Sequence, residues 1–77
     1  MSNSELCENI KQNLDAQGIH ISKAEVQNLY ASVLESISEI IIEGDIIDIS
    51  DFGAFWQRGG SVFFRPSDEI LERINNT

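Results

Sequence analysis

The side chains that could do chemistry are few and scattered along this chain of 77 residues. Its one cysteine, Cys7, lies beside an apolar stripe, and its one histidine, His20, has no second ligand at metal-binding spacing. Asp45, Asp48 and Asp51 recur every three residues, which does not fit the alternating pattern of a calcium loop. The sequence also has no nucleophile–base arrangement and no phosphate-binding loop. We therefore expect a protein that is not an enzyme and has no metal, cofactor or small-molecule substrate.

The balance of charge is the second chemical feature. Acidic residues number 13 and basic residues 5, so the formal net charge is −8. Because the basic residues are isolated along the sequence rather than clustered, composition alone disfavours nucleic acid and anionic membranes as partners. No apolar run approaches the ~20 residues of a membrane span, and the start of the chain lacks the regions of a signal peptide. These features favour a cytoplasmic protein. The basic residues are Lys11, Lys23, Arg58, Arg65 and Arg73.

The apolar content is high for so short a chain, because 42% of the residues are hydrophobic. A single domain of this size buries only a modest share of its surface when alone. One cysteine cannot form an intrachain disulfide, so covalent cross-links do not add stability. We therefore expect the chain to complete its core by forming an oligomer.

Two helices are predicted in the first part of the chain. A Ser-x-x-Glu capping box begins each helix, and a glycine ends each, which gives helices over about residues 3–17 and 23–43. The apolar stripe of the second helix is wider than one neighbouring helix needs. We interpret the excess as a dimer interface, with Val33, Ile37 and Ile40 in its core.

After the second helix the hydrophobic period changes to two, which predicts strands. They fall at about residues 45–49, 52–58 and 61–65. Two glycines between the last two strands are typical of a two-residue primed hairpin turn. A proline ends the third strand, and a short helix at about 68–75 follows. The predicted fold class is α+β, in a single domain over residues 1–77.

All four phenylalanines and the one tryptophan lie in residues 51–64, on both sides of this turn. Phe52 and Phe55 are three residues apart and would face opposite sides of a regular strand. If both are core residues, we expect a bulge at Gly53. Trp56 and Phe63 are predicted to be near cross-strand neighbours.

The order of elements and several short motifs resemble the bacterial HU/IHF histone-like proteins over nearly the whole chain. The motif around Phe52 is similar to the Gly-Phe-Gly-Thr-Phe element of that family. The motifs that carry the resemblance are Ser22-Lys23, Glu43-Gly44-Asp45, Asp51-Phe52-Gly53-Ala54-Phe55, and Phe64-Arg65-Pro66-Ser67 followed by Ile70.

The resemblance implies an intertwined homodimer with helices at its base and two three-stranded sheets above. It places Phe52, Phe55 and Phe64 in the dimer core. Family members carry a long basic arm between the second and third strands, and a proline near its tip wedges between base pairs. Here only residues 56–62 separate Phe55 from Phe63, so the arm, its basic run and its proline are missing.

The implied function is that of a histone-like, nucleoid-associated bacterial protein that binds double-stranded DNA. Lys23 matches a phosphate-contacting position of the family, and Arg65 matches a basic position before the last helix. Arg58 lies where the arm begins in relatives. These three residues are the predicted nucleic-acid contacts.

A protein-interaction module is the alternative, because the dimer core is retained while the arm is lost and the charge is reversed. Such a subunit would pair with a full-length HU-like protein, or bind another partner, without contacting DNA directly. Asp68 and Glu69 stand where relatives often carry lysine, which favours this alternative. Trp56 and Phe63 either cap the shortened sheet or form an exposed patch for a partner.

Overall fold

The computed structural model describes residues 1–76 of the chain. Three helices and one antiparallel sheet with strand order β1-β2-β3 confirm the α+β fold. None of the helices in these residues has the length and apolar character needed to cross a membrane. The elements are α1 (Asn3–Ala16), α2 (Lys23–Ile42), β1 (Ile47–Ile49), β2 (Gly53–Arg58), β3 (Ser61–Pro66) and α3 (Asp68–Asn75).

The chain divides into two compact units, and the boundary falls within α2. The first unit, Met1–Glu35, contains α1 and the first part of α2. The second unit begins at Ser36 and contains the end of α2, the sheet and α3. We call them the helical unit and the sheet unit.

The predicted capping boxes begin both long helices. At α1 the backbone N–H of Glu5 donates to the Ser2 hydroxyl at 3.2 Å, and the Glu5 carboxylate accepts from the Ser2 backbone N–H. Ser22 and Glu25 make the same reciprocal pair at the start of α2, with both bonds 3.1 Å long. Each box satisfies backbone donors that have no partner within the helix.

A glycine follows the end of each long helix, as predicted. Gly18 and Gly44 have φ angles of 80° and 88°, in the left-handed region. The backbone N–H two residues beyond each cap then reaches back to a carbonyl of the last turn, as in the Schellman motif. For α2, this bond joins Asp45 to Ile40 at 3.1 Å. Because the backbone N–H of Asp45 closes the helix, β1 begins at Ile47 rather than near residue 45.

The helical unit has a small buried core and an open apolar groove. Cys7 and Val26 are the buried hydrophobic residues within residues 1–76. A groove of about 300 Å³ runs beside them between α1 and α2, and we call it the helical groove. Its lining includes Leu6, Leu14, Leu29, Val33 and Leu34.

The turn before β2 explains how Phe52 joins the aromatic core. β2 begins at Gly53 and pairs without interruption with both neighbours, so the bulge expected at Gly53 is not present. Phe52 instead lies in the turn that follows β1, where its backbone N–H donates to the Ile49 carbonyl at 3.0 Å. Since Phe52 is outside the strand, strand alternation does not decide which way its side chain points.

The hairpin between β2 and β3 closes through Gly59 and Gly60, as predicted. Their φ angles are 57° and 82°, and a type I′ turn requires positive values at both positions. Arg58 pairs with Ser61 directly beside the turn. The turn therefore fixes the register of the two longest strands.

The last helix is anchored at its start. The backbone N–H of Ile70 donates to the Ser67 hydroxyl at 3.2 Å, which caps α3. The backbone N–H of Ser67 donates to the Phe52 carbonyl at 2.9 Å. This second bond ties the start of α3 to the turn that carries Phe52.

Candidate nucleic-acid interface

The two faces of the β2–β3 hairpin carry different chemistry. Residues alternate along a strand, and residues directly opposite on neighbouring strands share a face. The phenylalanine face carries Phe55 and Phe64, and Phe52 packs against both from its turn. The ring centroids of Phe55 and Phe64 are 4.6 Å apart, and those of Phe52 and Phe64 are 5.5 Å apart. The three aromatic residues predicted for the dimer core thus form one cluster.

The opposite face, which we call the Trp56 face, combines aromatic and basic side chains. Trp56 pairs directly with Phe63, and their rings lie 5.8 Å apart at an interplanar angle of 19°. Trp56 is half-buried and Phe63 is exposed. The residues of this face are Ala54, Trp56 and Arg58 on β2, and Ser61, Phe63 and Arg65 on β3.

Arg58 and Arg65 lie at opposite ends of the Trp56 face. Arg58 pairs with Ser61 beside the turn, and Arg65 pairs with Ala54 four rows away, which is about 13 Å at ~3.3 Å per residue. Both side chains are exposed. Neither guanidinium makes an ion pair or hydrogen bond with a side chain among residues 1–76. Both are therefore available to bind an external anion.

The surroundings of the two arginines differ. Arg65 borders a broad depression of about 560 Å³, which it shares with Asp48 and Asp68. The depression lies at the start of α3, where Asp68 and Glu69 occupy the first turn. These carboxylates already interact favourably with the helix N-terminus, so they disfavour a second anion there. Of the two ends of the Trp56 face, the Arg58 end is the more electropositive.

Lys23, the third predicted contact, belongs to the helical unit. It is the first residue of α2, and its Nζ lies 3.8 Å from a carboxylate oxygen of Glu8. Both side chains are about half exposed, so this long ion pair is weak. This ion pair is therefore a weak constraint on the position of the Lys23 side chain.

His20 has a local partner in the helical unit. Its Nδ1 is hydrogen-bonded to the Asp15 carboxylate at 3.1 Å, and Lys11 Nζ lies 3.3 Å from the same carboxylate. The hydrogen bond with His20 and then the Lys11 ammonium lower the pKa of Asp15, against an opposing effect of desolvation. No group of three potential metal ligands occurs within the described part of the chain.

The arrangement of the Trp56 face was missed in the sequence interpretation. The bases and the aromatics were considered separately, although both follow the same alternation, Ala54-Trp56-Arg58 on one strand and Ser61-Phe63-Arg65 on the other. A register fixed by the two-glycine turn would have placed them together. The two-glycine turn was therefore the signal in the sequence from which this shared face could have been predicted.

The order of elements, two long helices, a three-stranded antiparallel sheet and a short third helix, is that of the HU proteins. The family model described as "Bacterial DNA-binding protein" matches residues 1–59, which is more than half of the chain. The chain belongs to the bacterial DNA-binding protein family, and the resemblance to HU proteins is confirmed. The matched region ends in the turn between β2 and β3.

Solved structures agree with this assignment. The chain is similar to a point mutant of HU from Thermotoga maritima, with a TM-score of 0.81, 27% identity, and coverage of 96% of this chain and 99% of that one. A second HU structure from Thermotoga maritima has a TM-score of 0.79 and 24% identity over 96% of this chain and 98% of the other, and it supports the fold alone. A search of curated proteins found no match.

Proposed function

We propose that this chain is a histone-like protein that binds duplex DNA as a homodimer and carries no extended arm. The observation that carries the proposal is the pair of exposed arginines without partners on one face of an HU-type sheet. Lys23, at the start of α2, is the third contact. The protein acts by binding and has no catalytic role, and we expect it in the bacterial cytoplasm, associated with the nucleoid.

Dimerisation is supported by the apolar surface that each unit leaves open. Phe52 and Phe64 are 45% and 44% exposed in the single chain, although their rings form a cluster. In the helical unit, Val33 lines the open helical groove and is also exposed. In the sheet unit, Ile37 and Ile40 at the end of α2 are half-buried. A chain this short exposes such surfaces only if a partner covers them. A second copy supplies the same surfaces in return.

The distribution of charge decides which face of the sheet the second copy covers. Arg58, Arg65 and Asp48 all belong to the Trp56 face, and burying them without partners would cost several kcal/mol each. The phenylalanine face of the hairpin carries no charged residue in its paired rows. We therefore assign the phenylalanine face to the dimer core and the Trp56 face to DNA.

The short hairpin limits the DNA contact. Only Gly59 and Gly60 join β2 to β3, at the place where the family resemblance implies an arm. The end of the family match at residue 59 supports the same interpretation. Without an arm, few phosphates are neutralised, so we expect weak binding that is lost as salt is raised.

Fluorescence anisotropy with a labelled duplex at low salt tests this proposal. We expect Arg58→Gln, Arg65→Gln and Lys23→Gln each to weaken binding. Arg73→Gln is the matched control, because Arg73 is an exposed base in the last turn of α3 and is not one of the predicted contacts. If all four variants lose affinity equally, net charge rather than these sites determines binding. If the wild-type protein does not bind the duplex, the proposed function is wrong.

A second candidate function follows from the net charge of −8. An acidic subunit that retains the dimer surface is complementary to a basic, full-length HU-like subunit, and the heterodimer would have a single arm. Co-expression of the two chains, with a tag on this one only, tests the idea. Recovery of the armed subunit would support it, and recovery of this chain alone would exclude it.

A further inference from the structure

We propose that the Trp56 face binds single-stranded DNA, with unpaired bases stacked on Trp56 and Phe63 and the flanking phosphates held by Arg58 and Arg65. This inference rests on the proposed function and deepens it, because it names the form of DNA that this face selects. Four side chains carry it, and all of them lie on one face of a single hairpin whose register is fixed.

The geometry of the aromatic pair suits stacking with a third ring. Trp56 and Phe63 are nearly parallel, at 19°, and their centroids are 5.8 Å apart. Fully overlapped rings would be separated by a carbon–carbon contact of about 3.5–4.0 Å, so these two rings are offset. An offset pair on an exposed sheet leaves ring surface uncovered, on which a base can stack.

Trp56 and Phe63 are not part of the aromatic cluster of the sheet unit. Phe52, Phe55 and Phe64 form the aromatic cluster, and they lie on the other side of the hairpin. Trp56 and Phe63 instead share their face with two arginines. An aromatic pair between exposed charges is the arrangement expected of a base-binding surface rather than of a core.

Charge decides between DNA and a protein partner for this surface. The guanidinium groups of Arg58 and Arg65 have no side-chain partner in residues 1–76, and about 13 Å of strand separates them. A protein covering this face would have to supply an acid for each arginine. A single strand supplies negative charge at every nucleotide and bases between the charges, so it matches the order arginine, aromatic pair, arginine. Asp48 and Asp68 lie near Arg65, so we expect Arg58 to be the stronger phosphate contact of the two.

Single strands are favoured over duplex at this position. In a duplex the face of every base is covered by its neighbours, and only base edges are open in the grooves. An aromatic pair on this face of the sheet therefore has no base face to contact unless the strand is unpaired. The arginines can bind either form, but the aromatic rings contribute only to the single-stranded complex.

The test uses the fact that Trp56 is the chain's one tryptophan. The full-length protein is titrated at low salt with oligothymidylate and with a duplex of equal length, and tryptophan emission and the anisotropy of labelled DNA are followed together. We expect the single strand to quench the emission of Trp56 on binding. We expect the duplex to bind without comparable quenching.

Variants separate stacking from folding. Trp56→Ala removes one stacked base, so we expect the affinity for oligothymidylate to fall about 5- to 150-fold, with little change for duplex. Phe63→Leu keeps the apolar volume and should also lower single-strand affinity, while Trp56→Phe should retain most of it. Gln12→Ala, an exposed change on α1 in the helical unit, is the control.

Each outcome has a defined meaning. Duplex binding that depends on Arg58 and Arg65, without quenching by the single strand, overturns the inference and leaves the proposed function in place. Single-strand binding that is unaffected by Trp56→Ala and Phe63→Leu also overturns it. Failure to bind either form overturns both. Selective loss of single-strand affinity in these two variants supports the inference.

Discussion

At the scale of single residues, Gly53 is the one of the five glycines that has close neighbours at its Cβ position. A Cβ atom at Gly53 would lie 2.5 Å from the backbone carbonyl oxygen of Arg65 and 2.5 Å from Cε1 of Phe64. The first neighbour is main chain within the β2–β3 ladder and cannot rotate away. Only glycine lets the start of β2 approach β3 this closely, and Phe64 then reaches its place in the aromatic cluster.

We therefore expect Gly53→Ala to destabilise the fold by about 1–3 kcal/mol or more, because the added methyl group forces the two strands apart. Chemical denaturation checks this expectation. Gly59→Asn is the control: no atom lies within 4 Å of the Cβ position at Gly59, and asparagine is well tolerated in a primed turn. Equal losses in the two variants would contradict the role of the close approach.

Asp51 has backbone strain in the turn before β2. Its φ angle is 63°, the one positive value at a non-glycine residue among residues 1–76. The resemblance to HU proteins aligns Asp51 with a glycine of the family motif. We expect Asp51→Gly to raise the free energy of unfolding by roughly 0.5–1 kcal/mol, since glycine adopts this conformation without steric cost.

Thermal melts of the wild-type protein and of Asp51→Gly measure the expected gain in stability. Asp48→Gly provides the comparison, because Asp48 lies in β1 and glycine weakens a strand. We expect opposite signs for the two substitutions. A loss of stability in Asp51→Gly would show that the aspartate side chain stabilises the turn by more than its conformation costs.

At the scale of elements, the capping box at the start of α2 stabilises the fold in a way that depends on pH. The backbone N–H of Ser22 donates to the Glu25 carboxylate at 3.1 Å. This bond is the main reason that the pKa of Glu25 lies below its ordinary value of 4.5, and a hydrogen bond with the Ser22 hydroxyl is the second. A carboxyl group whose pKa is lowered by folding stabilises the fold above the pKa of the unfolded chain. This contribution is lost as the pH falls through the folded pKa.

We expect Glu25→Gln to remove this part of the acid dependence while it keeps a capping side chain. Melting temperatures of wild type and variant should therefore converge as the pH falls below about 4.5. Glu35→Gln, an exposed change in the interior of α2, is the control and should not alter the acid profile in this way. A constant difference between wild type and Glu25→Gln at all pH values would contradict the proposed titration.

The elements differ in how far the sequence alone predicts them. Capping boxes and the glycines at 18 and 44 predict both long helices, because these signals are local. The two-glycine turn predicts the hairpin for the same reason. The position of Phe52 was not predicted, because the choice between a strand residue with a bulge and a turn residue depends on the pairing of β1 with β2. The arginines were named from the sequence, but their shared face with Trp56 follows only from the strand register.

At the scale of the whole molecule, two phenylalanines provide a matched test of the dimer. Phe63 and Phe64 are neighbours in β3 and are 43% and 44% exposed in the single chain. Their side chains point to opposite faces of the sheet. If the second copy covers the phenylalanine face, Phe64 is buried in the dimer and Phe63 is not, although the two are equally exposed in the single chain.

We expect Phe64→Ala to cost about 3–5 kcal/mol, the usual loss for a buried phenylalanine. Phe63→Ala should cost about 1 kcal/mol, the value of an aromatic pair on an open surface. Denaturation at several protein concentrations checks both values, because unfolding of an obligate dimer depends on concentration. A stable folded monomer at low micromolar concentration, or equal losses in the two variants, would exclude the proposed dimer.

The salt dependence of duplex binding tests DNA recognition most directly. If Lys23, Arg58 and Arg65 of both subunits contact phosphates, a plot of log affinity against log salt should be linear, with a slope of about −5. Binding at low salt with such a slope, made shallower by Arg58→Gln, is the result that we expect. Absence of duplex binding even at low salt, or binding that does not change with salt, would show that the HU-type fold is used here without recognition of the DNA backbone.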